Sequence, residues 1–142
     1  MNLETFLKLF AWACRAVRWI TLRRPNSGAF LIVEDNDNDA ENLARKLAKR
    51  GRSSEIATSG EAAAGLVKHT HYPVCFIDMR LPSMSGPALL RVLSRDAPNS
   101  EVVIVCGEPS DLNEVPAGQL ILFIKKPVTL EAIEDILKKL RL

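Results

Sequence analysis

The 142-residue sequence predicts an α/β fold, a doubly wound parallel sheet of five strands with helices on both faces. Two observations support this fold class. Five short apolar runs alternate with segments of helical periodicity, which favours parallel strands joined by crossover helices. The runs at residues 29–33 and 74–77 are continuously apolar, as expected for strands that are buried on both faces. The length and the 47% hydrophobic content suit one domain with a substantial core.

The elements are predicted in order from residue 29 onward. Strands are expected at residues 29–33, 53–57, 74–77, 101–105 and 120–124. Helices are expected at about residues 39–50, from the turn at 58–61 to about 69, from Gly86-Pro87 to about 95, and at about 130–140. Gly51 supplies the stop after the first of these helices. Pro109 and Pro116 bracket the interval before the last strand, so a helix there has at most about two turns.

The charge distribution sets the N-terminal residues apart from the rest. Residues 1–24 carry five basic side chains and one acidic side chain, +5 − 1 = +4, and the rest of the chain carries −2. The predicted organisation is an amphipathic helix at 1–24, a linker at 25–28 and a globular domain at 29–142. Charges interrupt the helix too often for a membrane span. Residues 3–22 are therefore expected to pack on the domain, to pair with a second copy, or to lie on a membrane surface.

Composition argues against several classes of function. A net charge of +2 does not predict a nucleic-acid partner. Cys14, Cys75 and Cys106 are far apart and lack metal-binding or redox spacing, and reduced thiols predict a cytoplasmic protein. The alternative location is peripheral, at the inner face of the membrane, if residues 3–22 bind lipid. The glycine-rich phosphate loops and dinucleotide fingerprints of nucleotide-binding folds are missing from the sequence.

Chemically active side chains follow the predicted strands at their carboxyl ends. They are Glu34 and Asp35 after the first strand, Asp78 after the third, Cys106 after the fourth and Lys126 after the fifth. Parallel strands bring these ends to one edge of the sheet, where ligands bind in open α/β folds. Three carboxylates in one place repel each other unless a cation such as Mg²⁺ joins them. With the metal and a lysine to offset charge, an aspartate can act as the nucleophile that accepts a phosphoryl group.

With these residues at its strand ends, the sequence resembles the receiver domain of bacterial two-component response regulators. The matching motifs are V-E-D-N at residues 33–36, D-M-R-L-P-S-M-S-G at 78–86 and K-P at 126–127, in the right order and each at a strand end. The resemblance implies a flavodoxin-like (βα)₅ fold for residues 29–141. It also implies a phospho-acceptor rather than an enzyme acting on a separate substrate, with self-catalysed phosphotransfer and autodephosphorylation at most.

The resemblance also implies roles for individual residues. Asp78 is expected to be the phospho-acceptor, and Lys126 to contact the phosphoryl oxygens. Mg²⁺ is expected on Asp35, Asp78 and the backbone carbonyl of Arg80, with Glu34 acting mainly through water. The Lys126–Pro127 peptide is expected to be cis. The phosphoryl donor would be a phosphohistidine on a sensor histidine kinase or a histidine phosphotransfer protein.

Two positions depart from the family pattern. Cys106 stands where the family usually has Thr or Ser, and a thiol is a weaker hydrogen-bond donor than a hydroxyl. Phe123 occupies the aromatic switch position without a hydroxyl group. Cys106 is interpreted as a buried structural thiol, with a redox sensor as the alternative.

The last predicted helix ends close to Leu142, so we expect a stand-alone receiver that signals through protein contacts. The sequence does not name its downstream target. The alternative is a degenerate receiver, a phosphorylation-independent scaffold recruited by its N-terminal helix.

Overall fold

The structure, a computed structural model, describes residues 2–5, 28–115 and 121–142. The predicted helix at 3–22 lies mostly outside the described residues, and so does most of the linker at 25–28. Residues 3–5 are helical, and the Thr5 backbone N–H donates to Asn2 Oδ1 at 2.7 Å. In the part of the chain that is described, the helices are all too short or too polar to cross a bilayer.

Five parallel strands form one sheet in the order β2-β1-β3-β4-β5. The strands are β1 (Phe30–Val33), β2 (Ser54–Ala57), β3 (Val74–Asp78), β4 (Glu101–Cys106) and β5 (Leu122–Lys125). The connections contain α1 (Asp37–Ala48), α2 (Gly60–His69), α3 (Gly86–Asp96), a 3₁₀ helix (Pro109–Glu114) and, after β5, α4 (Leu130–Lys139). This is the predicted doubly wound α/β architecture.

Strand side chains alternate between two separate cores. Leu31, Cys75 and Ile104 face α2 and α3 on one side of the sheet. Phe30, Phe76 and Val103 face α1 and α4 on the other side. The alternation follows from the period of two in a β-strand. Every residue of β1 and β3 is buried, as their continuous apolar sequences predict.

The helices α1 to α4 each begin after a side chain that caps the first turn. The caps are Asn36, Ser59, Ser85 and Thr129, whose side-chain oxygens accept the N–H three residues later at 3.0, 3.1, 3.3 and 3.1 Å. These contacts satisfy backbone donors that lack partners inside a helix. Because Asn36 is the cap, α1 starts at Asp37, two residues before the predicted start.

The end of α1 also differs slightly from the prediction. The helix ends at Ala48, and Gly51 follows with φ at +72°, the left-handed conformation that favours glycine. The interval after β4 holds a 3₁₀ helix of six residues, which agrees with the expected limit of two turns. Pro109 starts it, because proline at a first helical position removes only a donor that would lack a partner.

We expect Gly86→Ala to destabilise the fold by about 1–3 kcal/mol. A Cβ at this position would lie 2.7 Å from Met79 Cα and 3.0 Å from the Met79 carbonyl oxygen, and the backbone cannot yield as a side chain can. The clash would displace the loop between β3 and α3, which begins directly after Asp78. Urea unfolding followed by circular dichroism measures the change.

Gly65→Ala is the matched control for this prediction. Gly65 lies within α2, and a Cβ added there meets nothing within 4 Å. We expect this variant to gain about 0.5–1 kcal/mol, since alanine favours a helix over glycine. Equal stability of the two variants would show that the close approach of Gly86 to Met79 does not constrain the loop.

Candidate functional site

Three carboxylates meet at the carboxyl edge of the two central strands. Glu34 and Asp35 follow β1 and Asp78 ends β3, and these strands are paired in the sheet. One carboxylate oxygen from each residue lies within 4.8 Å of the other two. Glu34 and Asp78 are buried, and Asp35 is exposed. The structure therefore brings together the acidic residues that the sequence predicted as a cluster.

The two buried acids are held in the same way. Glu34 Oε1 accepts the backbone N–H of Asn36 at 3.0 Å, and Asp78 Oδ1 accepts that of Arg80 at 2.9 Å. In each case the donor lies two residues after the acid, so the loop itself orients the carboxylate. The second oxygen of each acid then points to a shared cation.

Lys126 supplies that cation. Its Nζ lies 3.0 Å from Glu34 Oε2, 3.0 Å from Asp78 Oδ2 and 3.3 Å from Asp39 Oδ2. Burial alone would lower the pKa of Lys126, but the hydrogen bonds to Glu34 and Asp78 raise it above its ordinary value. The lysine therefore stays protonated and offsets part of the acidic charge.

Asp39 is a member of this site that sequence reasoning missed. The sequence predicts it only as the first residue of a helix, without a role in the site, but it lies in the first turn of α1 and reaches Lys126. The available signal was its spacing of four residues from Asp35, with α1 starting directly after the acidic strand end. The first turn of such a helix faces the same edge of the sheet.

The balance of charge leaves the site short of positive charge. Burial raises the pKa of the Glu34 carboxyl, whereas the Asn36 N–H and Lys126 act to lower it. One ammonium group faces Glu34, Asp78 and Asp39, with Asp35 beside them. Carboxylate oxygens that converge in this way are the ligands that Mg²⁺ prefers. The donor set therefore fits Mg²⁺.

The cluster opens into a cleft of about 460 Å³ between the strand ends and α1. Its polar lining includes Glu34, Asp78, Lys126 and, from α1, Asn42 and Lys46. The cleft lies on the α1 and α4 side of the sheet, since Phe76 and Val105 form its apolar floor. Asp78 and Lys126 therefore line a cleft that a group with several oxygens can enter.

Cys106 and Phe123 lie on the other side of the sheet. Cys106 ends β4, is 2% exposed and packs with the α2 and α3 core. Burial raises the pKa of its thiol, and the carboxylates of Asp111 and Asp78 raise it further while Lys125 opposes them. A thiol held in its neutral form is not an activated nucleophile, which supports the structural interpretation over a redox sensor.

Phe123 is 57% exposed, although it belongs to β5. Its strand partner is Ile104, and the neighbouring Ile124 is buried on the opposite face. The aromatic ring therefore lies on the side of the 3₁₀ helix, outside the core. The Lys126–Pro127 peptide is cis, as predicted.

The guanidinium group of Arg80 contacts a carboxylate outside the cluster. Its Nε and Nη2 lie 3.4 and 3.3 Å from Asp111 Oδ1, in the 3₁₀ helix. The sequence prediction concerned only the Arg80 carbonyl, as a metal ligand, and that role stays a prediction.

This geometry can be compared with known proteins. Residues 30–138 match the family described as the response regulator receiver domain. The chain belongs to the response regulator receiver family. This receiver is 33% identical over 109 residues to a response regulator receiver protein of Anaeromyxobacter, covering 75% of the chain and 46% of that protein. It is 30% identical over 118 residues to the sensor kinase CckA of Brucella abortus, covering 80% of the chain and 12% of the kinase.

A solved structure confirms the fold of the receiver. The CheY-like receiver domain from Methylobacillus flagellatus superposes with a TM-score of 0.69 and 29% identity, covering 82% of this chain and 98% of that domain. The receiver spans less than half of the length of the two curated relatives above.

Proposed function

We propose that the receiver accepts a phosphoryl group onto Asp78 from a phosphohistidine of a sensor histidine kinase or histidine phosphotransfer protein. One observation carries the proposal: Lys126 Nζ lies 3.0 Å from both Asp78 Oδ2 and Glu34 Oε2, at the mouth of a solvent-open cleft. A buried carboxylate with one oxygen held by a backbone N–H and the other beside a cation is suited to attack phosphorus. Output would then pass through protein contacts.

The transfer requires one bond to form and one to break. Asp78 Oδ2 forms a bond to phosphorus, and the phosphorus–nitrogen bond of the phosphohistidine breaks, with its electron pair returning to the imidazole. Asp78 Oδ1 stays on the Arg80 N–H, which orients the carboxylate. Lys126 then offsets charge on the phosphoryl oxygens, because its ammonium already lies beside the attacking atom. Bound Mg²⁺ would supply further charge stabilisation.

The residues that would hold Mg²⁺ are Asp35, Asp78 and Glu34, with the Arg80 carbonyl. We expect Mg²⁺ at ten times its dissociation constant to stabilise the receiver by about 1.4 kcal/mol, which raises Tm by roughly 3–6 °C. Asp35→Asn should lose most of this increase, because it removes one exposed anionic ligand and leaves the buried acids in place. Thermal unfolding with Mg²⁺ or with EDTA measures it.

Asp37→Asn is the control for the metal prediction. Asp37 is also an exposed acid, two residues further along and at the start of α1, and it is not among the clustered carboxylates. This variant should keep the full Mg²⁺-dependent increase in Tm. If both variants lost the same part of the Tm increase, the effect of Mg²⁺ would depend on general surface charge and not on the carboxylate cluster.

The experiment that tests the proposed function is phosphorylation by a small donor. The full chain is incubated with acetyl phosphate, with Mg²⁺ or with EDTA, and the product is examined by intact mass and peptide mapping. We expect one phosphoryl group per chain, located on Asp78 and dependent on Mg²⁺. A chain that gains no phosphoryl group, or gains it equally in EDTA, would contradict the proposal.

One observation favours a second function. The thiol of Cys106 and the exposed ring of Phe123 replace the hydroxyl groups that the family usually has at these positions. A receiver that lacks these two hydroxyl groups can instead act as a phosphorylation-independent scaffold, recruited through residues 3–22. Failure of the acetyl phosphate experiment in a folded protein that binds Mg²⁺ would favour the scaffold.

A further inference from the structure

Arg80 connects the acceptor with the 3₁₀ helix. Its backbone N–H donates to Asp78 Oδ1 at 2.9 Å, while its guanidinium Nε and Nη2 lie 3.4 and 3.3 Å from Asp111 Oδ1. These contacts run from the end of β3 to an element that follows β4. One residue therefore touches both the carboxylate that would be phosphorylated and a helix on the opposite side of the sheet.

Asp111 has a second role within the 3₁₀ helix. Its Oδ2 accepts the Glu108 N–H at 3.4 Å, and its own N–H donates to the Glu108 carbonyl at 3.1 Å. The oxygen that contacts Arg80 and the oxygen that closes the first turn belong to the same carboxylate. The position of Arg80 is therefore coupled to the start of this helix.

The Arg80 guanidinium can leave Asp111 for a more highly charged anion. The Arg80 side chain is 66% exposed, and both of its nitrogens share one acceptor oxygen at distances above 3.2 Å. The Asp111 side chain is only 14% exposed, but it keeps the Glu108 N–H as a partner when Arg80 leaves. Long contacts from an exposed guanidinium contribute little to stability. A phosphoryl group carries close to two negative charges and three acceptor oxygens, and guanidinium binds such groups through two parallel hydrogen bonds.

Asp111 and the acceptor also act on the same neighbour. After burial, the carboxylate of Asp111 is the largest influence that raises the pKa of Cys106, and Asp78 adds to it. Both acids therefore lie within electrostatic range of the end of β4. The thiol at this position is a poor donor, so a phosphoryl group on Asp78 would find a stronger donor in Arg80 than in Cys106.

We propose that Arg80 is a phosphoryl-sensing residue whose guanidinium moves from Asp111 to the phosphoryl oxygens when Asp78 is phosphorylated. Asp111 then loses its cation, and the 3₁₀ helix loses its tie to the acceptor loop. Residues 107–115 become free to contact a partner protein. This inference rests on the proposed phosphorylation of Asp78. In it, an exchange of ion pairs takes the place of the two hydroxyl groups that are missing at Cys106 and Phe123.

The test is hydrogen exchange of the full chain, measured by mass spectrometry with Mg²⁺ alone and with Mg²⁺ plus acetyl phosphate. We expect phosphorylation to speed exchange in peptides covering residues 107–115 by at least about threefold. Asp111→Asn keeps an oxygen for the Glu108 N–H but loses its charge, so its exchange should already be fast without phosphate. Arg80→Ala should behave in the same way, and Arg80→Lys should restore part of the response.

Two variants serve as controls. Glu114→Gln removes an exposed acid from the same 3₁₀ helix, and Arg91→Ala removes an exposed arginine from α3. Both should keep the wild-type response. Intact mass on the same samples reports the extent of phosphorylation. Full phosphorylation with unchanged exchange at 107–115 would overturn the role of Arg80 alone, whereas a chain without phosphoryl groups would overturn the proposed function and this inference together.

Discussion

Replacing Asp78 with asparagine is expected to abolish Mg²⁺-dependent phosphorylation by acetyl phosphate, a loss of at least about 10³-fold. Asparagine keeps the size of the side chain and an oxygen that can accept the Arg80 N–H. It lacks the carboxylate oxygen that now lies 3.0 Å from Lys126 and would attack phosphorus. The measurement is the initial rate of mass increase with saturating donor.

Asp135→Asn is the control for this variant. Asp135 is an exposed acid of α4, so the same chemical change is made away from the carboxylate cluster. We expect the Asp135→Asn variant to be phosphorylated at the wild-type rate. Phosphorylation of Asp78→Asn on Glu34 or Asp35 would contradict the assignment of Asp78, because it would show that a neighbouring acid can act as the acceptor.

Replacing Lys126 with methionine is expected to lower the rate of phosphorylation by about 10²–10³-fold. Methionine preserves an unbranched chain of similar length but removes the ammonium group. The charge that develops on the phosphoryl oxygens then loses its nearest fixed cation. Glu34 and Asp78 also lose the only cationic side chain that contacts both of them among the described residues. Mg²⁺ concentration must be held saturating, so that the rate reports the lysine and not metal binding.

Lys125→Met provides a neighbouring comparison. Lys125 is the last residue of β5, is exposed, and lies beside Cys106 in the sheet register. We expect its removal to change the rate by less than about threefold, since an exposed charge that does not contact the reacting oxygens is largely screened. Similar losses in the two lysine variants would indicate that overall charge at the end of β5, and not the position of Lys126, sets the rate.

Much of the fold follows from simple patterns in the sequence. Continuous apolar runs predicted β1 and β3 because strands buried on both faces have no polar side. The same patterns brought Glu34, Asp78 and Lys126 to one edge, because parallel strands end on the same side. The exact start of α1 was missed, since Asn36 and Asp39 are both good caps and only the backbone shows which one is used.

Other features depend on geometry that a periodic pattern does not contain. The contact of Arg80 with Asp111 joins residues 31 positions apart through two loops, and its formation depends on the path of both. Similarly, the alternation of side chains in β5 places Phe123 and the buried Ile124 on opposite faces of the sheet. Whether that face is covered depends on the neighbouring connection, whose described part holds a short 3₁₀ helix, and the ring is 57% exposed.

The separation of the two cores has a consequence for how such a protein can evolve. Asp78 and Lys126 open toward α1 and α4, whereas Cys106 and Phe123 belong to the opposite layer. A sheet of packed strands keeps the side chains of its two faces apart. If the proposed function is correct, substitutions in the second layer can change which partner is recognised without altering the contacts of the acceptor carboxylate, as long as they keep the link from Arg80 to Asp111.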